Sequence, residues 1–526
     1  MKSILSSFIF AIVITGCASV PIVQSPEQLY STHGYVFVSL PKARQSLSLE
    51  SLSDKSKIDL IRRTDSEEDG FGVWVPAGEY KLGYWSSFEL EGYSSLSVKA
   101  GRVTNLGSLV AVPIGGHEQV LLPIKHPDYA NKVEAVIRDY QPFLSSKEVI
   151  DWRSDGIPKS FETSWLGGGP VISNDVASQG IVVSVLVAIG QEVTRPSMNK
   201  QLSEIKSIDE FFRIAKATTP PLTKEPGLDE SGNLLFGGDF GQIRVRSPSG
   251  EWHALDTGTL NPVTSVEVFR SQIAAGFDDG TIRISSDSGV SWKISASLGQ
   301  DFLISDIDRV GNTWVVLGER KLTNKFGQKI TDQFVVYQAK NDDLRDLKII
   351  KIVDMNTPVY GFPRGESARG YYYFNTGEEL LRLDLASMSW ASVTPPSAVS
   401  AFHISPNSAV IAAYKIQGMF SKLYISTDHG ENWIKYDNPP YVIDDIRFEN
   451  TTAGLAVRMS MGAFTGTFEL LQYDRSTDSW NKFAEAPDGC IRILPDATNT
   501  ARFCVTSGGS ILRHTDQKWV TEYSLD

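Results

Sequence analysis

The sequence predicts a mostly β protein: a seven-bladed β-propeller preceded by a small β-sandwich domain and a mixed helical connector. Two observations predict the propeller. Short alternating apolar runs return in seven units through the C-terminal part of the chain, and six of the units close on a Trp: Trp252, Trp292, Trp390, Trp433, Trp480 and Trp519. These tryptophans recur every 39–47 residues with one double interval, and a fixed period in that range marks a propeller or a solenoid. Within a unit, runs such as Ile273-Ala274-Ala275-Gly276-Phe277 and Thr281-Ile282 are separated by Asp278-Asp279-Gly280, which reads as hairpins. A third observation, paired strand–turn–strand segments between residues 30 and 120, predicts the sandwich.

Residues 1–17 read as a targeting segment and are set aside from the fold. Lys2 supplies a charged start, and Ile4 to Ile14 is an apolar stretch too short for a permanent membrane anchor. Ile14-Thr15-Gly16-Cys17 then resembles a bacterial lipobox, in which the Cys is lipidated and becomes the new N-terminus. The resemblance makes Cys17 the lipidation site. With Ala18 rather than Asp after it, the resemblance also implies sorting to the cell outer membrane, facing the periplasm or the cell surface. Acyl chains would hold the protein there, so no transmembrane helix is required. A second apolar run, Gly180 to Gly190, is also too short to span and is expected to pack in a core.

Residues 18–125 are expected to form the sandwich. Gly34 to Leu40 alternates, Gly72 to Leu82 is two strands around Pro76-Ala77-Gly78, and Leu96 to Gly107 repeats that plan. These two segments resemble the small sandwich modules of bacterial lipoproteins, related in style to PEGA and carboxypeptidase-regulatory-like domains, which act as spacers or assembly surfaces. Residues 126–225 are the connector. Val133, Val136, Ile137 and Tyr140 have helical spacing, as do Ile205, Ile208, Phe211, Phe212 and Ala215. Thr218-Thr219-Pro220-Pro221 halts the second helix, and the polar stretch Lys224 to Asn233 leads into the first blade.

Residues 226–526 hold the seven blades, close to the roughly 300 residues that seven units of this length need. Two units carry a complete S-x-D-x-G-x-x-W box: Ser285, Asp287, Gly289 and Trp292, then Ser426, Asp428, Gly430 and Trp433. The Asp can accept backbone N–H groups inside the turn, the Gly supplies a positive φ, and the Trp fills space between sheets while its N–H needs an acceptor. The motif resembles the Asp-box (BNR) repeats of sialidases, sortilin-type receptors and photosystem assembly factors. In those families the box sits on the turn between the two outer strands, away from the channel. The resemblance therefore implies structural roles for Asp287 and Asp428. One unit lacks its Trp and runs from Phe334-Val335-Val336-Tyr337 through Asn341-Asp342-Asp343 to Leu347.

A net charge of −12 excludes nucleic acid, which demands a basic face, and argues against charge-driven binding to anionic headgroups. Besides Cys17 there are only Cys490 and Cys504. A hairpin centred on Ala497 would set them opposite one another, as a disulfide in an oxidising compartment or as two free buried thiols. Two Cys with no His at ligand spacing make a poor metal site, so no metal and no cofactor is expected.

No catalytic residue can be assigned. The enzymatic alternative is a sialidase-like glycoside hydrolase, which needs an arginine cluster, a Tyr–Glu pair and an acidic acid/base. Phe212-Arg213-Ile214-Ala215 approaches the sialidase motif but has Ala in the Pro position and helical spacing. The recurrent Arg244, Arg283, Arg382 and Arg513 are expected on solvated strand faces far from the channel. No Gly-rich phosphate loop, H-E-x-x-H or G-x-S-x-G is present. The preferred reading is non-catalytic recognition or scaffolding of an envelope protein or glycan. Its candidate contacts lie on three extended hairpins: Lys321, Lys325 and Phe326; Met419 and Phe420; Met461 and Phe464. Acids and arginines converging at the channel mouth would favour the enzyme; apolar or mixed loops without them would favour the scaffold.

Overall fold

The computed structural model describes residues 30–40, 47–60, 70–85, 88–115, 118–124, 129–140, 143–153, 157–162, 205–219, 221, 223, 225–299, 301–323, 329–359, 365–396, 401–405, 410–417, 420–436, 440, 443–461, 466–474, 476–495, 502–506, 510–515 and 518–523. Cys17 and the run from Gly180 to Gly190 lie outside these residues.

Two sheets form the N-terminal part. One orders Phe161–Glu162, Glu118–Ile124, Val103–Gly115, His33–Ser39 and Gly70–Pro76, with Val149–Asp151 also paired to Val103–Gly115. The other orders Lys57–Leu60, Leu47–Ser51, Gly78–Trp85 and Phe88–Glu89, with Leu96–Val98 on Gly78–Trp85. Strand periodicity decides which side chains meet. From His33–Ser39, Val36 and Val38 point into the core shared with Leu47, Leu49 and Leu82 of the second sheet. Tyr35 and Phe37 point the other way, where helix α1 (Tyr129–Tyr140) covers them with Val133, Val136 and Ile137.

Val149–Asp151 and Phe161–Glu162, which follow the expected boundary at residue 125, pair into the first sheet, and α1 packs on it. Strands of two or three residues show no period, which is why the sequence conceals them.

Helix α2 (Ile208–Ala217) begins at Ser207, whose hydroxyl accepts the Glu210 N–H at 3.4 Å, and carries Asp209 and Glu210 in its first turn and Lys216 in its last. Its buried Phe211 and Ala215 touch Val110, Val112 and Leu122 of the N-terminal sheet on one side, and Phe240 and Leu260 of the following sheets' loops on the other. The helix therefore bridges the two halves. The fragment from Phe212 to Ala215 lies wholly within it, with Arg213 exposed.

From Gly227 onward, seven four-stranded antiparallel sheets follow one another among the described residues, each a simple meander. The first strand of each sheet lies against the first strand of the next. Both faces of a sheet are buried: Ile273 and Ala275 pack on the first sheet, while Ala274, Ile282 and Ile284 pack on the third. The seventh sheet packs on the first, with Leu494, Phe503, Val505 and Ile511 against Leu234 and Phe236. The arrangement is propeller-like.

Each of the six tryptophans that close a unit packs with the preceding sheet; Trp252 reaches the seventh in this way. The Trp-less unit fills the same gap with Leu344 and Leu347, beside Ile282 and Ile284. The recurrent arginines depart from expectation. Arg244 is 5% exposed and donates to the carbonyls of Lys216, Ala217 and Thr219. Arg283 reaches Thr257 O at 3.0 Å in the sheet before. Arg382 reaches His429 O at 2.8 Å in the sheet after, and Arg513 pairs with Glu522. Arg244, Arg283 and Arg382 stitch neighbouring elements, because a long fork with five donors can reach orphan carbonyls across a sheet gap, whereas Arg513 stays within its own sheet.

The two remaining cysteines are bonded, with Cα atoms 5.7 Å apart and both side chains buried. The register differs from the expected hairpin centre. Cys490 lies opposite Thr506 and Cys504 opposite Ile493, with a bulge between Cys490 and Arg492. A bulge adds one unpaired residue, which index symmetry about Ala497 does not foresee.

Candidate partner face and the charged inner strands

The two S-x-D-x-G-x-x-W segments sit on turns between the third and fourth strands of the second and fifth sheets. Asp287 accepts the Ser291 N–H at 2.9 Å and the Ser291 and Ser285 hydroxyls at 2.6 and 2.8 Å. The Ser291 hydroxyl first, then its N–H and the Ser285 hydroxyl, hold the Asp287 carboxyl down at about 2. Ser285 Oγ accepts the Gly289 N–H at 2.7 Å, and Trp292 donates to Gly289 O at 3.1 Å. The second box repeats the plan with Asn432 in place of Ser291, and Trp433 donates to Val393 O in the preceding sheet at 2.9 Å. Burial pulls the Asp428 carboxyl up, but the Asn432 N–H and amide and the Ser426 hydroxyl outweigh it and leave it low. Both oxygens of each carboxylate accept hydrogen bonds from within the turn.

The inner strands hold what the sequence did not disclose. Glu267 lies on Val263–Phe269, Asp306 and Asp308 on Phe302–Val310, Glu366 on Gly365–Ala368 and His403 on Ala401–Ile404. Asp444, Asp445 and Arg447 lie on Ile443–Phe448, and Arg492 on Cys490–Pro495. Burial, then the charges of Asp308 and Asp306, push the Glu267 carboxyl well above its usual range. Burial, then Asp445, raises Asp444 to about 8. The charges do converge on the inner strands, against the scaffold expectation of an uncharged mouth.

Several of these side chains serve as rivets between successive inner strands. Asp445 accepts the Ile493 N–H of the next sheet at 3.0 Å, Glu366 accepts the Ile404 N–H at 3.0 Å, and Ser265 accepts the Ile307 N–H at 2.9 Å. Side strands that do not pair with each other leave such N–H groups without a ladder partner, and a side-chain acceptor satisfies them. Arg447 is held by Glu225 and Asp445; burial alone would lower its pKa, but the two carboxylates keep it high. Arg492 donates to Thr223 O at 3.2 Å.

Two tyrosine–acid pairs bear on the sialidase alternative. Tyr372 donates to Asp306 Oδ2 at 2.9 Å, and Tyr414 to Asp445 Oδ1 at 3.3 Å. Tyr372 is fully buried, and burial followed by the Asp306 and Asp308 charges raises its phenol far above the usual value. A nucleophilic phenolate needs the opposite shift and access to substrate. Among the described residues, no group of three or more His, Cys, Asp or Glu is arranged to hold a metal ion.

The three hairpins join the second and third strands of the third, fifth and sixth sheets: Thr313–Thr323 with Lys329–Ala339, Ile411–Gln417 with Phe420–Ser426, and Gly454–Met461 with Gly466–Asp474. In an antiparallel meander these turns rise on the same side as the links between sheets. Lys325, Phe326, Met419 and Phe464 lie outside the described residues; Phe420 and Met461 are strand residues whose side chains are not described. Lys321 departs from its expected role as an exposed contact. It is buried against Glu319 and Thr331, and Glu319 also accepts the Ser305 hydroxyl at 2.6 Å. An i, i+2 spacing sends Glu319 and Lys321 to the same inward face. Its neighbour Leu322 is 45% exposed.

The chain matches no family model and no curated protein. Solved structures share part of it. A structure of YCF48 bound to a D1 peptide has 14% identity over 57% of this chain and 93% of its own, with a TM-score of 0.42. YCF48 from Cyanidioschyzon merolae has 13% identity over 57% and 99%, also with a TM-score of 0.42. Saccharomyces cerevisiae Sqt1 has 12% identity over 58% and 87%, with a TM-score of 0.39. The fold described above rests on strand order, register and packing, not on these likenesses.

Proposed function

We propose that this chain is a lipid-anchored envelope protein whose seven sheets are the blades of a closed propeller, carried on an N-terminal sandwich domain. Its loop face recognises or scaffolds a protein or glycan partner at the outer membrane. The observation that carries the reading is the hairpin of the third sheet. Its strands are long, its base is fixed by the buried Glu319–Lys321–Thr331 cluster, and it presents exposed Leu322 on the side of the inter-sheet links. An apolar side chain on a rigidly based hairpin suits a protein contact. On the same side, Phe240 and Leu260 pack in one core with α2, away from the third, fifth and sixth hairpins. Asp445 and Glu366 hold backbone N–H groups of the next sheet and Arg447 is held by Glu225 and Asp445, which disfavours substrate chemistry at these three. Lipidation of Cys17 and the outer-membrane address rest on the lipobox resemblance, and the bonded cysteine pair fits an oxidising compartment.

The test is a pull-down from native membranes with Cys17 intact. Deleting residues 322–329, or changing Met419, Phe420, Met461 and Phe464 to Ser, should remove the co-purifying partner while the circular dichroism spectrum stays that of the parent. An unchanged set of co-purifying proteins rules out this face. Changing Cys17→Ala should move the protein from the membrane to the soluble fraction.

A further inference from the structure

We infer that Glu522 and Tyr523 form a latch that couples closure of the first and seventh sheets to docking of the N-terminal unit. The strands of the first sheet all fall between Gly227 and Asp256, and those of the seventh between Cys490 and Tyr523. Among the described residues no strand is shared across this seam, so side chains alone hold it. A carboxylate is central. Glu522 Oε2 accepts Arg246 Nε at 2.5 Å, its Oε1 accepts Arg246 Nη2 at 2.8 Å, and Oε1 lies 2.7 Å from Arg513 Nε. Arg246 comes from the first sheet and Arg513 from the seventh, and the side chains of Arg246 and Glu522 are at most 7% exposed. The Arg246 guanidinium also lies 4.5 Å from the Phe503 ring centre. Removing the carboxylate would leave a buried guanidinium uncompensated on the first side of the seam, a costly arrangement.

The next residue reaches a different element. Tyr523 donates its hydroxyl to Thr218 O at 2.9 Å and to Thr219 O at 2.5 Å, just past the end of α2. Arg244 of the first sheet donates to Thr219 O at 2.9 Å, Lys216 O at 2.8 Å and Ala217 O at 2.6 Å. The last carbonyls of a helix have no partners within it. Here the donors come from the two sheets that meet at the seam. The same helix buries Phe211 and Ala215 between the N-terminal strands and the loops at Phe240 and Leu260. A single pair of adjacent residues thus holds the seam with one side chain and the helix end with the other.

Hydrogen exchange on the full-length protein tests the latch. Tyr523→Phe should raise exchange at residues 211–219 about fivefold, the loss of roughly one hydrogen bond, while Leu234–Gly237 and Arg502–Thr506 keep their protection. Glu522→Ala should raise exchange about tenfold or more at both the seam strands and residues 211–219, with the third to fifth sheets unaffected. Unchanged protection at 211–219 in both variants overturns the latch. So does a rise spread evenly over the molecule, which would show a general loss of stability. If Glu522→Ala fails to fold, Tyr523→Phe and Arg246→Lys are read by the same criteria, with Arg246→Lys expected to loosen the seam and the helix end together.

Discussion

At the scale of single residues, turn geometry and burial of charge set the strongest constraints. Gly289 adopts φ 92°, and a Cβ there would meet Leu255 at 2.5 Å; Gly430 adopts φ 86° and would meet Val393 at 2.8 Å. Gly289→Ala therefore combines left-handed strain with a clash against the preceding sheet, and should lower stability by about 2 kcal/mol in urea unfolding. A midpoint equal to that of the parent would contradict the steric account. Asp444 gives a pH dependence of definite sign. Its folded value of about 8 lies above the ordinary carboxylate range, so the native state binds its proton more tightly than the unfolded chain. Stability from this site is fully present below about pH 4 and is lost as pH rises towards 8. Asp444→Asn, which stays neutral, should raise Tm at pH 8 and change it little at pH 4; the same gain at both would show that the site does not titrate as described. The boxes were legible in the sequence because the hydrogen bonds of Asp287, Asp428, Ser285 and Ser426 that hold each turn close within four residues. The inner-strand carboxylates were not, because Asp445 and Glu366 find their backbone partners at Ile493 and Ile404, one sheet further along the chain.

At the scale of elements, legibility followed length and period. Helix α1 fell where the apolar spacing placed it, while α2 starts at Ile208, three residues after Ile205, and stops before the two prolines. The repeat was visible because the tryptophans mark one gap per sheet, and the unit without one was readable from its strands although Leu344 and Leu347 fill its gap. Strands such as Val149–Asp151 were hidden, and so was the bulge in the first hairpin of the seventh sheet. That hairpin carries the disulfide, which closes a loop with a sequence separation of 14. Constraining the unfolded chain over a loop of that size stabilises by about 3 kcal/mol on the chain-entropy account. Replacing Cys490 and Cys504 together by Ser should therefore lower stability by about that amount, read as a shift of the urea midpoint at unchanged slope. A parental midpoint, or free thiols in protein taken from its native compartment, would remove the disulfide from the account of the seventh sheet.

At the scale of the whole molecule, each sheet depends on two neighbours. The seventh sheet buries Cys490, Ile493 and Cys504 against Leu455, Val457 and Leu470 of the sixth, and Leu494, Phe503 and Val505 against Leu234 and Phe236 of the first. A chain ended after Pro487 would uncover both opposing faces at once. Each buried aliphatic or aromatic side chain contributes roughly 1.5–3 kcal/mol, and a typical domain has only about 5–15 kcal/mol of net stability. Half a dozen such side chains on the lost faces approach or exceed that margin. The truncated chain would also leave Arg246 without Glu522, and the end of α2 without the Tyr523 hydroxyl. It should therefore fail to accumulate as soluble protein rather than persist as a shorter stack. An open solenoid behaves differently, because a terminal repeat removed from it uncovers one face only. A soluble truncated form with parental thermal unfolding of the remaining sheets would show that the sheets stand as an open array and that the contact between first and seventh is dispensable.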